Sequence, residues 1–388
     1  MKVAFVTDAP YSKDIRLQRT VEALQALECD IFALDQGMDV VTSKEALGDL
    51  GKHFPAPIPA SGISRKMWSL KNRFLPIRAY QKRSEWTCNT LISIKPDVIH
   101  CINPFALEAS ANAVSELGAK FIYEAYEYWP EYLLQLGARV PHRLASKIAG
   151  IEEEFAKCAD MFITVSAPLA GWYKSNLGIE NVLVIYNVNS SGSAVSAVKN
   201  RFDDDSLSIV YAGILHPERN IDTAIEAVSK VKNVRLTILG EGVDRVRLQG
   251  LVRELGIEEK IRFRDMIPAN ELVEFLADYD LGLSLIPSTS RQMDGAVPNK
   301  IFDYTRAGLG VIAIDTVGLR SLKNLQRSFS LIATPCADLL ALEFGRLNTE
   351  RELVQKMKES SLENSHFYSR TSQMEKIREL YKTLSVSD

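Results

Sequence analysis

The sequence predicts an α/β protein of two doubly wound, Rossmann-like domains facing a cleft, and three observations carry that prediction. Short apolar runs of strand character alternate with helical patterns, a polar Ser-rich stretch interrupts them midway, and the alternation then restarts. Continuous apolar strands joined by helices imply parallel sheets covered on both faces. A chain of 388 residues also exceeds what one core supports, which independently asks for two domains.

In the first half, strands are read at residues 2–7, 30–34, 97–101, 120–123, 161–165 and 182–186. Residues 189–205, NSSGSAVSAVKNRFDDD, read as a linker. Strands resume at 208–212, 235–239, 260–263, 281–286 and 310–314. The expected division is an N-terminal domain 1–188, a linker 189–206, a C-terminal domain 207–365 and a last helix 366–388, with apolar residues at helical spacing at Met374, Ile377, Leu380 and Tyr381. In open parallel sheets ligands bind beyond the carboxyl ends of the strands, so the cleft is the place to look.

Composition narrows the function classes. With 46% hydrophobic residues, 24% charged residues and a net charge of −3, the chain shows no bulk attraction to nucleic acid. Cys29, Cys88, Cys101, Cys158 and Cys336 are scattered without CxxC spacing, which suggests neither zinc nor a disulfide framework and fits a reducing cytoplasm. The opening MKVAFVTDAP is too short an apolar run for a signal peptide or a spanning helix. Asp203, Asp204 and Asp205 precede a strand instead of following one, so they read as solvated linker acids and not as a metal site.

The most informative stretch is MDGAVPNKIFDYTRAGLGVIAID, residues 293–315, which reads as a loop, a short helix and a buried strand. Pro298 fits the first helical position and Gly308 the residue after the helix end. Lys300 and Asp303, three apart, share a face, so a cation sits near the positive helix start with a carboxylate one turn further in. That arrangement suits phosphates at the helix start and ribose hydroxyls on the acid, while an ordinary surface ion pair is the plainer alternative.

Three segments in order, YAGILHPERNIDTAIEA (211–227), LTILGEG (236–242) and VPNKIFDYTRAGLGVIAID (297–315), resemble the retaining glycosyltransferases of the GT-B fold, specifically glycosyltransferase family 4. The resemblance covers nearly the whole chain and implies a nucleotide-diphosphate sugar as donor substrate, with no resident cofactor or metal. Gly213, directly after a strand, would let a ligand approach the backbone. Arg219 aligns with the family's pyrophosphate-holding basic residue and with Lys300 would neutralise the departing diphosphate. The family's second basic residue after that glycine is here Ile214. Of the two donor-binding glutamates seven apart, Asp303 takes the second place and Gly295 the first, with Asp294 adjacent as a substitute sugar contact. Backbone N–H groups of Gly295, Ala296 and Val297, leading into Pro298 and Asn299, would receive sugar hydroxyls or phosphate oxygens.

KPDVIHC (95–101) and FIYEAYEYWPEY (121–132) resemble the family's acceptor-side strand ends. Where close members carry a histidine near the anomeric carbon, this chain has Tyr126, which cannot take up charge near neutral pH. Glu127 and Glu131 could orient acceptor hydroxyls or stand as exposed acids, and His100 reads as a packing residue. KDIRLQR (13–19) resembles the family's first loop and helix start, with Asp8, Ala9 and Pro10 in place of its glycines and the roles of Asp14 and Arg16 open. Arg65, Lys66, Lys71, Arg73, Arg78, Lys82 and Arg83, interleaved with Trp68, Phe74 and Tyr80 and with no acid among them, suit an anionic membrane surface or a solvated helix face. The resemblance implies a cytoplasmic enzyme, peripheral on the inner membrane face, that moves a sugar to a glycan or lipid-linked acceptor during surface polysaccharide assembly. A rival reading is a catalytically silent GT-B protein that binds a nucleotide or a partner transferase.

Overall fold

A computed structural model describes residues 1–7, 9, 11–35, 47–55, 76–129, 131–132, 142–188, 194–199 and 206–385. Two compact units emerge: Met1–Asn187 with Met374–Asp388, and Val188–Gln373. Asp8 and Pro10 of the first loop, the acids Asp203 to Asp205, and Arg65, Lys66, Trp68, Lys71, Arg73 and Phe74 of the basic stretch lie outside the described residues.

Unit 1 holds strands β1 (Lys2–Val6), β2 (Asp30–Asp35), β3 (Gly51–Pro55), β4 (Val98–Ile102), β5 (Lys120–Ala125), β6 (Met161–Thr164) and β7 (Val182–Val184). Its helices are α1 (Ile15–Gln25), α2 (Pro76–Ile94), α3 (Leu107–Leu117), α4 (His142–Phe155) and α5 (Ala167–Leu177). All strands pair in parallel, in the order β3-β2-β1-β4-β5-β6-β7. The central β4 is buried at every position, which is why its sequence reads as an apolar run and not as an alternation. Edge strand β3 escapes the sequence reading because GKHFP is only half-buried and carries no apolar run.

Unit 2 repeats the plan with β8 (Leu207–Ala212), β9 (Val234–Leu239), β10 (Ile261–Arg264), β11 (Leu281–Ser284), β12 (Gly310–Ile314) and β13 (Phe329–Ile332), in the order β10-β9-β8-β11-β12-β13. Its helices are α6 (Ile221–Ser229), α7 (Arg245–Leu255), α8 (Ala269–Leu276), α9 (Arg291–Gly295), α10 (Asn299–Arg306), α11 (Val317–Arg320), α12 (Ala337–Thr349) and α13 (Arg351–Asn364). Below the sheet, Asp280 gathers Ser208, Arg351 and Lys358, whose ammonium lies 3.3 Å from its carboxylate. Residues 194–199, read above as linker, lie against this unit: the Val195 N–H donates to the Arg306 carbonyl at 3.0 Å, and Val195 and Val198 approach Gly308.

The last helix, α14 (Arg370–Ser385), gives Met374, Ile377, Leu380 and Tyr381 to the core of unit 1. Tyr381 meets His100, a buried polar residue in mid-strand, at 2.8 Å through Nδ1, while His100 Nε2 faces Glu124 at 3.0 Å. His100 is thus a packing residue, hydrogen-bonded at Nδ1 and set beside the Glu124 carboxylate at Nε2.

Both sheets reverse strand order once, at β1/β4 in unit 1 and at β8/β11 in unit 2. The two reversals differ. β1 and β4 stay paired from Val3↔Val98 to Val6↔Cys101, whereas β8 and β11 pair only at Leu281↔Ile209 and Gly282↔Val210. Beyond that point the Tyr304 hydroxyl enters, accepting the Ala212 N–H at 2.9 Å and donating to the Leu283 carbonyl at 3.1 Å.

Candidate functional site

The loops that leave β8 and β11 flank the reversal of unit 2, where a doubly wound sheet opens a crevice. Gly213 follows β8 with φ of +144°, and a Cβ built there would lie 3.2 Å from Lys300 Nζ. Gly240, after β9, has φ of +152°, and a Cβ on it would lie 1.9 Å from the Gly213 carbonyl oxygen. Backbone thus lies directly on backbone here, a close approach open only to glycine.

Helix α10 delivers the charges. Pro298, expected at the first helical position, is instead its N-cap with extended backbone and offers no side-chain oxygen, and Gly308 adopts φ of +68° just past the C-cap Ala307. Tyr304 fixes the helix to the split strands, its ring filling the space that a Cβ on Gly282 would need. One turn back, the Lys300 ammonium sits 3.7 Å above the Tyr211 ring. Arg219 ends the 3-10 turn Pro217–Arg219, and the following Asn220 donates from Nδ2 to the Leu285 carbonyl at 2.9 Å, tying that turn to the end of β11.

Burial of its ammonium, reinforced by the nearby Arg219 charge and opposed by Asp303, pulls Lys300 down to about 7. Among the described residues neither Lys300 nor Arg219 forms an ion pair with a carboxylate. Two mutually repelling cations over a glycine loop make a place where an anion relieves strain of charge. Asp303, half-buried on the next turn, stands 3.9 Å from Arg306 and holds a carboxylate one helical turn from Lys300.

The segment before α10 is more occupied than its sequence suggests. Residues 291–295 coil into α9, and the Ala296 N–H closes that helix on the Gln292 carbonyl at 3.0 Å. That amide is therefore engaged, which corrects the expectation of a row of open N–H groups at Gly295, Ala296 and Val297. The Asp294 carboxylate accepts the Val317 N–H at 3.2 Å, anchoring α9 to the start of α11. The Gly295 and Ala296 carbonyls press on Gly318, where a Cβ would come within 2.3 Å of the latter oxygen.

The family described as Glycosyl transferases group 1 matches residues 194–364, and Glycosyltransferase Family 4 matches residues 16–188, together nearly the whole chain. No curated protein sequence matches it. Among solved structures, sucrose-phosphate synthase (tll1590) from Thermosynechococcus elongatus is similar at 14% identity and a TM-score of 0.72, with 100% of each chain covered. Anabaena Alr3699/HepE in complex with UDP-glucose is similar at 14% identity and a TM-score of 0.66, covering 99% of this chain and 100% of that one. WaaG, a glycosyltransferase involved in lipopolysaccharide biosynthesis, is similar at 15% identity and a TM-score of 0.62, covering 97% and 99%. The chain is a family 4-like glycosyltransferase of the GT-B fold.

In unit 1 of this glycosyltransferase, Tyr126 is 7% exposed, and its hydroxyl points to Asp14 at 3.4 Å. Burial, with Glu124 and Asp14 adding to it, pushes that hydroxyl well above the usual tyrosine range. Arg16 stacks on the Tyr126 ring at 3.9 Å. Asp14, open in the sequence, caps α1 by accepting the Arg16 and Leu17 N–H groups at 3.1 and 3.0 Å. Glu127 and Glu131 are half-buried in the turn after β5, where the Tyr173 hydroxyl reaches the Glu127 carbonyl at 2.8 Å. No helix among the described residues is long and apolar enough to cross a membrane.

Sequence reasoning missed Tyr211, Asn220 and Tyr304. Tyr211 had a usable signal: two residues before the strand-end glycine, it lies on the same face of β8 as Gly213.

Proposed function

We propose that this glycosyltransferase moves a hexose from a nucleotide-diphosphate donor to a glycan or lipid-linked acceptor, with retained anomeric configuration, without a metal, and in polysaccharide assembly. The observation that carries the reading is the pair Lys300 and Arg219 beside Gly213, two cations without a carboxylate partner among the described residues. In the proposed step the bond from the sugar's anomeric carbon to the diphosphate breaks, the acceptor oxygen bonds on the same face, and the acceptor proton passes to the leaving phosphate oxygen. Lys300 and Arg219 stabilise the charge that develops on the diphosphate. Asp303 would receive the ribose hydroxyls, and Pro298 and Asn299 would set the start of α10 against the phosphates. The UDP held by Anabaena Alr3699/HepE supports a uridine donor as the first to try. Arg78 and Lys82, exposed on α2, support an anionic membrane contact, read by salt-sensitive flotation with anionic liposomes.

A second reading is favoured by one observation. Tyr126 stands where the family resemblance leads one to expect a histidine, and its hydroxyl already faces Asp14, which suits a silent GT-B protein that binds a nucleotide. Calorimetric titration with UDP, ADP and GDP, followed by sugar release from the matching donors in EDTA with the product anomer read by NMR, separates the two. Binding with turnover supports the transferase, binding without turnover the silent protein, and no binding to any diphosphate overturns both.

A further inference from the structure

We infer that Tyr211 is the positioning residue of the anion site, its ring seating the Lys300 ammonium at the Gly213 loop while its hydroxyl locks that loop. Three contacts carry this. Lys300 Nζ lies 3.7 Å from the ring centroid, a distance at which the negative face of a phenol attracts a cation. The same nitrogen lies 3.2 Å from where a Gly213 Cβ would stand, so the seat sets the lysine against the backbone that a ligand approaches. The Tyr211 hydroxyl donates to the Ile214 carbonyl at 2.8 Å, which fixes the residue where the family's second basic side chain is absent and leaves the Ile214 side chain 67% exposed.

Each contact makes sense of the others. A lysine lacking a carboxylate partner among the described residues would swing toward solvent to regain hydration unless something holds it. The ring supplies that hold without neutralising the charge, so the ammonium remains available to an anion, where a carboxylate in the same place would compete with it. Tyr211 is 1% exposed and its hydroxyl, raised by burial to about 12, stays protonated and keeps donating to Ile214. Arg219, whose charge is felt at both Tyr211 and Lys300, lies beside this seat and presses on the lysine it holds.

The inference rests on the anion-site reading for its ligand, so the experiment has two arms. In the first, UDP is titrated into wild type, Tyr211→Phe, Tyr211→Leu, Lys300→Met and the Tyr211→Leu/Lys300→Met double variant, each checked for a folded circular-dichroism spectrum. Tyr211→Leu weakens UDP binding about tenfold, Tyr211→Phe, which keeps the ring and loses only the hydrogen bond to Ile214, about threefold, and Tyr211→Leu costs no more than about that threefold once Lys300 is Met. The second arm needs no nucleotide: amine-reactive labelling of Lys300 in the ligand-free protein, read by mass spectrometry. There labelling is followed across pH: in wild type it switches on near 7, in Tyr211→Leu the switch moves up toward the free-lysine value of 10.5 as the lysine leaves its seat, and in Tyr211→Phe it stays.

The same labelling pH profile in wild type and Tyr211→Leu overturns the inference, as does a Tyr211→Leu affinity loss as large in the Lys300→Met background as with Lys300 present. If wild type binds no UDP, the proposed function fails while the labelling arm still decides whether Tyr211 seats Lys300.

Discussion

The two strand-order reversals of this molecule share a topology and differ in chemistry. At the β1/β4 end of unit 1 polar groups answer one another: Tyr126 faces Asp14, Asp14 caps α1, Arg16 covers the Tyr126 ring, and His100 lies between Tyr381 and Glu124. At the β8/β11 end of unit 2, Lys300 lies against the Gly213 backbone and feels the Arg219 charge, with no carboxylate paired to either among the described residues. One end is balanced within itself; the other carries surplus positive charge. A doubly wound sheet therefore offers a crevice at each reversal, and the side chains decide which crevice asks for a ligand.

The harshest test of the contrast lies in the glycines. Gly240→Ala in unit 2 would drive a Cβ into the Gly213 carbonyl and strain φ, at a cost of about 4 kcal/mol in chemical unfolding. Gly118→Ala in unit 1, with φ of +68° and open space around its Cβ, should cost only about 1 kcal/mol. Equal losses would mean that the close backbone approach in unit 2 has no special role.

Unit 1 is tested next through Glu152 on α4, whose Oε1 lies 2.6 Å from the Tyr123 hydroxyl and 2.9 Å from that of Tyr173. Burial raises this carboxyl from 4.5 to about 8, against the pull of both hydroxyls. The folded state thus keeps a proton that the unfolded chain releases, so stability falls as pH rises from 4.5 toward 8 and the penalty is fully present above 8. Glu152→Gln should flatten that slope and raise stability at pH 9 by several kcal/mol, read by thermal melts across pH. Parallel pH profiles in the two proteins would refute a buried neutral acid.

Lys300 runs the other way. Held down to about 7, it takes up a proton when an anion arrives, so UDP affinity should weaken by up to about tenfold as pH rises from 7 to 8, about 1.4 kcal/mol. Lys300→Met should abolish that slope. The smallest effect belongs to Tyr126→Phe, which removes a 3.4 Å contact to Asp14 and should cost about 0.5 kcal/mol of stability, with the UDP dissociation constant within about threefold of wild type. A larger change in UDP affinity would show that the balanced end of unit 1 takes part in holding the nucleotide.

Burial accounts for the central strands: runs such as VIHCI in β4 and GVIAI in β12 are buried throughout and announce themselves. The partly buried edge strands divide, β7 and β10 being read and β3 and β13 missed. Residues 194–199, AVSAVK, look like linker because a Ser-rich and acidic stretch surrounds them, yet two valines among them suffice to lie on the end of α10. The spacing of Gly213, Arg219, Lys300 and Asp303 was readable because turn and helix chemistry fix it locally. The seat beneath Lys300 was not, because an aromatic residue in a strand reads as core and only tertiary contact shows its lysine partner. The Ala296 amide was likewise invisible, since the single turn of α9 carries too short a pattern to predict.

Tyr304 sets the mechanical character of the proposed anion site. One phenol oxygen bridges two strands where their own ladder stops, and it belongs to the helix that bears Lys300 and Asp303. Floor and wall of the site are riveted into a single body, so an arriving ligand finds its contacts already aligned and forfeits little chain entropy in meeting them.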